Sequence, residues 1–89
     1  MDYDIRHCED CIEKSVTREI RQNEYDAIVS FIFNLGTGNF TRSTLLKLIN
    51  ENAPIPAIQR EFKKWVHAGG RVLPGLVRRR NAEAELYGR

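Results

Sequence analysis

Two cysteines and a histidine near the N-terminus form the arrangement His7-Cys8-x-x-Cys11, a spacing found in metal-binding and redox motifs. Two cysteines three residues apart share one face of a helix. A structural zinc site needs four ligands, whereas the chain offers no further cysteine and only one further histidine, His67. A thioredoxin-like motif would stand beside a strand–helix–strand pattern, and none is found. We therefore expect Cys8 to pack as a small apolar residue and Cys11 to lie at the rim. A disulfide between Cys8 and Cys11 within the helix is an open alternative under oxidising conditions, and no metal or cofactor is expected.

Paired carboxylates are the chemical signature of a glycosidase, and the N-terminal region is rich in carboxylates. The candidates Glu9, Asp10, Glu13 and Glu19 each have a basic residue nearby. No aromatic or glycine-rich context marks any of them as a desolvated acid. We interpret them as surface charges on a solvated helix.

Aromatic and basic residues cluster in the second half of the chain. Trp65 follows two lysines and could stack on a base or a sugar, but Ile58 and Phe62 share its helical face, which favours a place in the core. The run Arg78 to Arg80 could bind an anion. No helix combines a base-reading polar face with an apolar back, so we expect no nucleic-acid partner.

Composition indicates one small globular domain with an uneven charge distribution. The 89 residues carry a net charge of +2, but residues 1–26 hold eight acidic and four basic side chains. Residues 60–80 hold seven basic side chains and one acidic side chain. Such a basic end could attract nucleic acid, an anionic membrane or an anionic cell-wall polymer. No apolar run reaches the roughly 20 residues that span a bilayer, so no membrane insertion is expected.

Hydrophobic spacing predicts an all-α domain of about five helices in a small orthogonal bundle. Valines and isoleucines recur at helical rather than alternating spacing, so no strand is expected. Asp2 or Asp4 would cap the first helix and Thr41 the third. The three arginines of the last helix are expected to face largely outward. The predicted helices cover residues 2–19, 22–35, 41–49, Pro56 to the Gly69-Gly70 pair, and Pro74 onward.

The most apolar stretch is AIVSFIFNLGTGNFTRSTLL, residues 27–46. Ile28, Val29, Ile32 and Phe33 repeat at helical spacing, and a helix this apolar must be buried among other elements. Gly36 then stands where a left-handed C-cap residue is expected. We interpret the stretch as a core helix followed by a turn that faces a ligand.

Three segments resemble the phage-type lysozymes, the endolysins of glycoside hydrolase family 24 found in lambdoid phages and prophages. They are CIEKSVTREIRQNEYD, AIVSFIFNLGTGNFTRSTLLKLIN and EFKKWVHAGGRVLPGLVRRRNAEAELY, and together they cover essentially the whole chain. The signatures FNLGTGNF, RSTLL, W-x-x-AGG and GRVLPGLVRRR-x-AE occur in the order of the family. That family hydrolyses the β-1,4 bond between N-acetylmuramic acid and N-acetylglucosamine of peptidoglycan, in a cleft between a β-hairpin lobe and a helical lobe. The resemblance implies that residues 1–89 form the helical lobe alone.

The resemblance also implies which residues line the sugar groove, namely Asn34, Leu35, Gly36, Phe40 and Ser43. Asn34 would exchange hydrogen bonds with an N-acetyl group, Gly36 would let the backbone approach a sugar, and Phe40 would offer a flat apolar face. No catalytic residue carries over, because the chain has no Gly-Tyr-Gly-His-Thr-like segment and no glutamate in a matching context. We therefore expect the chain to be inactive alone.

The expected partner, by resemblance, is the glycan strand of peptidoglycan. The alternative is a non-catalytic glycan-binding protein, or a regulatory partner of an intact endolysin that reuses this lobe. The apolar face that an N-terminal helix covers in complete family members would then support self-association or pairing. The polar N-terminus is not a signal peptide, so we expect the chain in the bacterial host cytoplasm, with the family acting on the periplasmic cell wall after release.

Overall fold

The computed structural model describes residues 5–89, and of Ile5 it describes the backbone alone. The prediction that Asp2 or Asp4 caps the first helix lies outside the described residues. Within them the chain forms six helices and one two-stranded hairpin, which confirms the all-α class. The elements are α1 (Ile5–Ser15), α2 (Gln22–Leu35), α3 (Thr37–Thr41), α4 (Thr44–Asn50), α5 (Ile55–Lys63), β1 (His67–Ala68), β2 (Arg71–Val72) and α6 (Pro74–Tyr87).

Helix α2 is the central element and packs against both α1 and α6. Its bounds are those predicted from hydrophobic spacing. The backbone N–H of Arg21 donates to the Glu24 carboxylate at 2.8 Å, which satisfies one donor at the start of the helix. The buried face runs through Ala27, Ile28, Phe31 and Ile32. Phe33 was expected on that face but is 42% exposed, since it lies half a turn from Phe31.

The core is built around the ring of Phe31. Phe40, Phe62 and Trp65 meet it edge-on, at centroid distances of 6.1, 5.7 and 5.6 Å. Tyr87 extends the cluster by packing on Phe62 at 5.6 Å. Edge-to-face geometry of this kind adds about 0.5–1.5 kcal/mol per pair beyond the area buried. The half-buried Trp65 is thus part of the core, as predicted.

The first helix ends earlier than predicted because of a contact distant in sequence. It was expected to continue to Glu19, but α1 ends at Ser15. The Asn50 amide donates to the Ser15 carbonyl at 3.0 Å and accepts from the Thr17 backbone N–H at 2.9 Å. One side chain from the end of α4 therefore satisfies the backbone groups where α1 stops.

The third predicted helix begins three residues later than expected, as α4, and its predicted cap is wrong. The turn predicted before it is largely the short helix α3. Thr41 ends α3 instead of starting the next helix. Ser43 is the N-cap of α4, since its hydroxyl accepts from the Leu46 backbone N–H at 3.2 Å.

The expectation that the chain lacks strands is also wrong. The helix from Ile55 ends at Lys63, and residues 67–72 form a short antiparallel hairpin. Its two-residue turn is Gly69-Gly70, with φ values of 59° and 80°. Positive φ at both positions is the requirement of the tight turn that best fits the twist of a hairpin.

Polar side chains at and just before the start of α2 bond to the end of α6. The Asn23 amide donates to the carbonyls of Leu86 and Tyr87 at 3.0 and 3.2 Å. The Arg18 guanidinium donates to the Tyr87 hydroxyl at 3.1 Å. The start of α2 therefore meets the end of α6, and the two helices run antiparallel.

The burial of the Tyr87 hydroxyl predicts a loss of folding stability at alkaline pH. Burial, with a further contribution from Glu24, raises the pKa of Tyr87 to about 12. The folded state then holds the phenol proton more tightly than the unfolded state, so Tyr87 contributes stability below about pH 10 that is lost as the pH rises to 12. The expected loss is about 2 kcal/mol, measured as unfolding free energy against pH.

Tyr87→Phe should flatten this alkaline slope, while it also lowers stability at neutral pH by about 1 kcal/mol through loss of the Arg18 hydrogen bond. Tyr25→Phe removes a less buried phenol and should flatten the slope less. An unchanged slope in Tyr87→Phe would contradict this account.

Candidate functional site

The predicted groove residues lie between the last turn of α2 and the start of α4. The backbone N–H of Gly36 donates to the Ile32 carbonyl at 2.7 Å and closes the last turn of α2. Gly36 has φ 92° and ψ 157°, so it is not the left-handed cap that was predicted. This region of backbone space is essentially restricted to glycine. Because α3 starts at Thr37, the whole change of direction falls on one residue.

Asn34 lies in the last turn of α2 and its side chain is exposed. It stands eleven residues after Asn23 and four after Ser30, which places all three on one face of the helix. Asn23 and Ser30 both bond to α6, since the Ser30 hydroxyl donates to Glu83 at 2.5 Å. Asn34 therefore continues the α6-facing side of α2 beyond the point where the two helices are joined.

The antiparallel arrangement brings the first turns of α6 to the end of α2 that carries Asn34. Arg78 and Arg79 are exposed there, as the sequence predicted for them. Positive charge thus stands at the same end of the domain as the predicted groove wall.

Leu35 is half-buried and packs against the core, and its carbonyl is not left open. The Asn39 side-chain amide donates to it at 2.7 Å and so satisfies one of the free acceptors at the end of α2. Sequence reasoning missed this role of Asn39. The available signal was an asparagine four residues after the last helical position, just beyond a glycine.

Two predicted groove residues have structural roles instead. Phe40 is fully buried and meets Phe31 edge-on, so its face is not accessible to a pyranose ring. Ser43 is buried as well, and its hydroxyl donates to the Phe40 carbonyl at 2.6 Å while it caps α4. The accessible part of the predicted site is therefore Asn34, Leu35 and Gly36.

Arg80 differs from its two neighbours in the arginine run. It was expected to face outward, yet it is fully buried. Its Nη2 donates to Glu83 at 2.8 Å, and its Nε lies 2.8 Å from the other carboxylate oxygen. The guanidinium stands 5.5 Å from the centroid of the Phe31 ring. Nη1 has no hydrogen-bond partner among the described residues, and the cation–π contact offsets part of that loss.

Glu83 is the buried carboxylate that the sequence reasoning did not consider. Burial raises its pKa, while the Ser30 hydroxyl and the Arg80 guanidinium act in the opposite direction. A raised pKa is what a general acid needs, but Glu83 is enclosed between α2 and α6 and does not reach a ligand at the surface. Its place three residues after an arginine was the signal for an ion pair within α6.

The second buried carboxylate, Glu24, is also structural. It caps the start of α2 through the Arg21 backbone N–H, and its other oxygen lies 3.8 Å from Arg18. Both contacts are at the opposite end of α2 from Asn34. Neither buried glutamate therefore faces the predicted groove.

The cysteine motif packs as predicted. Cys8 is buried and Cys11 is half-buried, and both are thiols. The Cys11 sulfur lies 3.9 Å from the Ser15 hydroxyl. Across residues 5–89 no group of three metal-ligating side chains comes together, and no described helix is both long and apolar enough to cross a membrane.

Comparison with known proteins extends over almost the whole chain. Residues 1–83 match the family model described as phage lysozyme. The chain is 41% identical over 88 residues to the endolysin of Acyrthosiphon pisum secondary endosymbiont phage 1, a match over 94% of this chain and 60% of that protein. It is 39% identical over 84 residues to the endolysin of Bacillus phage PZA, over 94% of this chain and 32% of that protein.

Among solved structures, the fold is similar to the muramidase domain of SpmX from Asticaccaulis excentricus. The TM-score is 0.86 at 30% sequence identity, over 96% of this chain and 60% of that chain. The chain therefore spans about a third to three fifths of the length of these relatives. The resemblance stated from the sequence signatures is confirmed.

The backbone conformation of Gly36 predicts that substitution by alanine lowers stability much more at Gly36 than at the nearby Gly38. Gly36→Ala forces a side chain into a conformation reserved for glycine and should lower the unfolding free energy by about 1–3 kcal/mol. Gly38→Ala is the matched control, since its φ is not positive and an added Cβ would meet only the end of Arg42 at 3.5 Å. Urea unfolding of both variants measures the difference. Equal losses in the two variants would contradict the role assigned to Gly36.

The Arg80–Glu83 ion pair predicts that substitutions of two glutamates in α6 differ in how much they lower stability. Glu83→Gln leaves the Arg80 charge buried without a counter-ion and should cost about 3–5 kcal/mol of stability. Glu85→Gln changes a carboxylate with 75% side-chain exposure, so it should cost less than about 0.5 kcal/mol. Thermal unfolding at neutral pH compares the two. A stable Glu83→Gln variant would show that Arg80 does not depend on this carboxylate.

Proposed function

The chain belongs to the phage lysozyme family, and from that premise we propose that it forms the helical lobe of a peptidoglycan N-acetylmuramidase. The enzyme would hydrolyse the β-1,4 bond between N-acetylmuramic acid and N-acetylglucosamine in the bacterial cell wall. The observation that carries the proposal is the accessible Asn34–Gly36 segment, which forms the end of the α2 helix and the residue that follows it. It sits in a fold that is similar over 96% of its length to a muramidase domain.

Asn34, Leu35 and Gly36 form one wall of the sugar groove in this proposal. The Asn34 amide can both donate to and accept from an N-acetyl group. A Cβ built at Gly36 would meet no atom within 4 Å, so the space beside this backbone is open to a ligand. The half-buried Leu35 supplies apolar surface between these two polar positions.

The catalytic carboxyl would come from outside this lobe. A glycosidase of this type needs one carboxyl to protonate the leaving oxygen and a second carboxylate that acts as nucleophile or activates a water on the other side of the sugar ring. The buried carboxylates Glu24 and Glu83 are engaged in structural contacts. We therefore infer that the 89 residues alone do not cleave peptidoglycan.

A second candidate is a glycan-binding partner of an intact endolysin. The observation that favours it is Phe33, which is 42% exposed on the side of α2 opposite to the core. An apolar ring at this position suits a contact with a second protein surface or a second copy of the chain.

Turbidity of a peptidoglycan suspension tests the catalytic part of the proposal. The purified 89-residue chain should leave the turbidity unchanged, and clear lysis by it would contradict the inferred inactivity. If the chain changes the rate of an intact endolysin added to the same suspension, the partner role is supported instead.

Co-sedimentation with insoluble peptidoglycan tests the groove. Loss of one ligand hydrogen bond in Asn34→Ala should weaken binding by roughly fivefold. Gln22→Ala is the matched control, because it removes an exposed amide at the opposite end of the same helix. Equal binding by both variants would show that Asn34 does not line the glycan-binding groove.

A further inference from the structure

An apolar pocket lies between α1, the connection that follows it and the start of α2, at the opposite end of α2 from the Asn34–Gly36 segment. Its volume is about 340 Å³, which is at the lower end of the range for ligand pockets. Its aliphatic lining consists of Ile12, which is 3% exposed, and the half-buried Val16 and Ile20. We call this cavity the α1–α2 pocket.

Two carboxylates and a phenol line the same pocket. Glu9 and Glu13 are exposed and lie one turn apart on α1, so their side chains are neighbours. Burial raises the pKa of the Tyr25 hydroxyl, and the negative charges of Glu9 and Glu13 raise it further, so these three groups are close to one another. Apolar side chains and negative charge therefore meet in one cavity.

The negative charge of this pocket is not neutralised within the lobe. Across residues 5–89, neither Glu9 nor Glu13 forms an ion pair with a basic side chain. Arg18 also lines the pocket, but its guanidinium donates to the Tyr87 hydroxyl and to two backbone carbonyls. A cationic group of a ligand could therefore pair with the two glutamates without displacing a basic side chain.

The backbone of Ile20 favours a peptide as the occupant. Ile20 lies in the non-helical connection between α1 and α2, where it lines the pocket. Neither its N–H nor its carbonyl is hydrogen-bonded to another described residue. A peptide segment could exchange main-chain hydrogen bonds with these groups while its side chains enter the pocket.

We propose that the α1–α2 pocket binds a peptide segment of a partner protein in which a lysine or arginine stands beside aliphatic residues. The aliphatic side chains leave water against Ile12, Val16 and Ile20. The basic side chain pairs with Glu9 or Glu13, and this charge complementarity selects against acidic segments. Because the pocket lies at the start of α2, its occupation leaves the proposed glycan groove accessible.

Three synthetic peptides with acetylated and amidated ends test the proposal in NMR titrations of the full chain. The first peptide is Lys-Leu-Ile-Leu-Lys, the second has glutamates in place of the lysines, and the third has serines in place of the aliphatic residues. The first should bind roughly tenfold more tightly than either of the others, because only it matches both the charge and the apolar surface. Its binding should shift the backbone amide signals of the residues that line the pocket.

Two acidic residues of α1 provide matched variants of the chain. Glu13→Gln removes a charge from the pocket and should weaken binding of the lysine peptide roughly two- to fivefold. Asp10→Asn removes an exposed carboxylate that does not line the pocket, so it should bind like the unchanged chain. A chain that carries both Glu9→Lys and Glu13→Lys should instead prefer the glutamate peptide. Circular dichroism confirms that all three variants are folded.

Four outcomes would overturn the proposal. The first three are equal binding of the three peptides, equal losses in Glu13→Gln and Asp10→Asn, and signal shifts confined to residues outside the pocket. The fourth is a shift of the pocket signals when the concentration of the chain is raised without peptide, because the occupant would then be a second copy of the chain.

Discussion

The ring of Phe31 is the constraint on which the rest of the domain depends. Phe40 from α3, Phe62 from α5 and Trp65 beyond α5 reach it edge-on, and Arg80 from α6 lies 5.5 Å from its centre. Three aromatic pairs at about 0.5–1.5 kcal/mol each are a large share of a net stability of about 5–15 kcal/mol. A domain of this size has few other places to bury apolar surface, so one ring joins segments that are distant in sequence.

The same ring also determines how α6 lies on α2. Arg80 contacts Phe31, and Glu83 accepts a hydrogen bond from Ser30, which directly precedes Phe31 in α2. If α6 slipped along α2 by one turn, the Arg80–Glu83 pair would lose both contacts and bury its charges against apolar atoms. The two charges would stay paired, since both residues are on α6, but the loss of the Ser30 hydrogen bond and the cation–π contact would cost about 1–3 kcal/mol. These two contacts therefore favour the observed register, which brings Arg78 and Arg79 toward the end of α2 that carries Asn34.

The features that the sequence predicted correctly are those that depend on the pattern of residues close together in the chain. The bounds of α2 follow from its hydrophobic spacing, and the turn at Gly36 follows from glycine chemistry, although the conformation of that glycine differs from the expected cap. The errors come from partners far along the chain. Asn50 ends α1 from 35 residues away, which no local signal indicates. Phe40 was expected at the groove wall by resemblance to the family, but its ring is buried and meets Phe31, nine positions earlier, edge-on.

The accessible part of the groove wall is small, and this bears on how such a lobe can work. Asn34 and Gly36 are held by a buried helix on one side and by α3 on the other, so their positions are fixed before a ligand arrives. In the proposed enzyme, a wall fixed in this way would bind a sugar without the entropic cost of ordering a loop. The buried carboxylates Glu83 and Glu24 are committed to Arg80 and to the start of α2, so neither of them would supply the proton or the nucleophile in the proposed enzyme. In the proposed enzyme this lobe would position the glycan, and a carboxyl brought against it from the facing side of the cleft would act on a sugar already held in place.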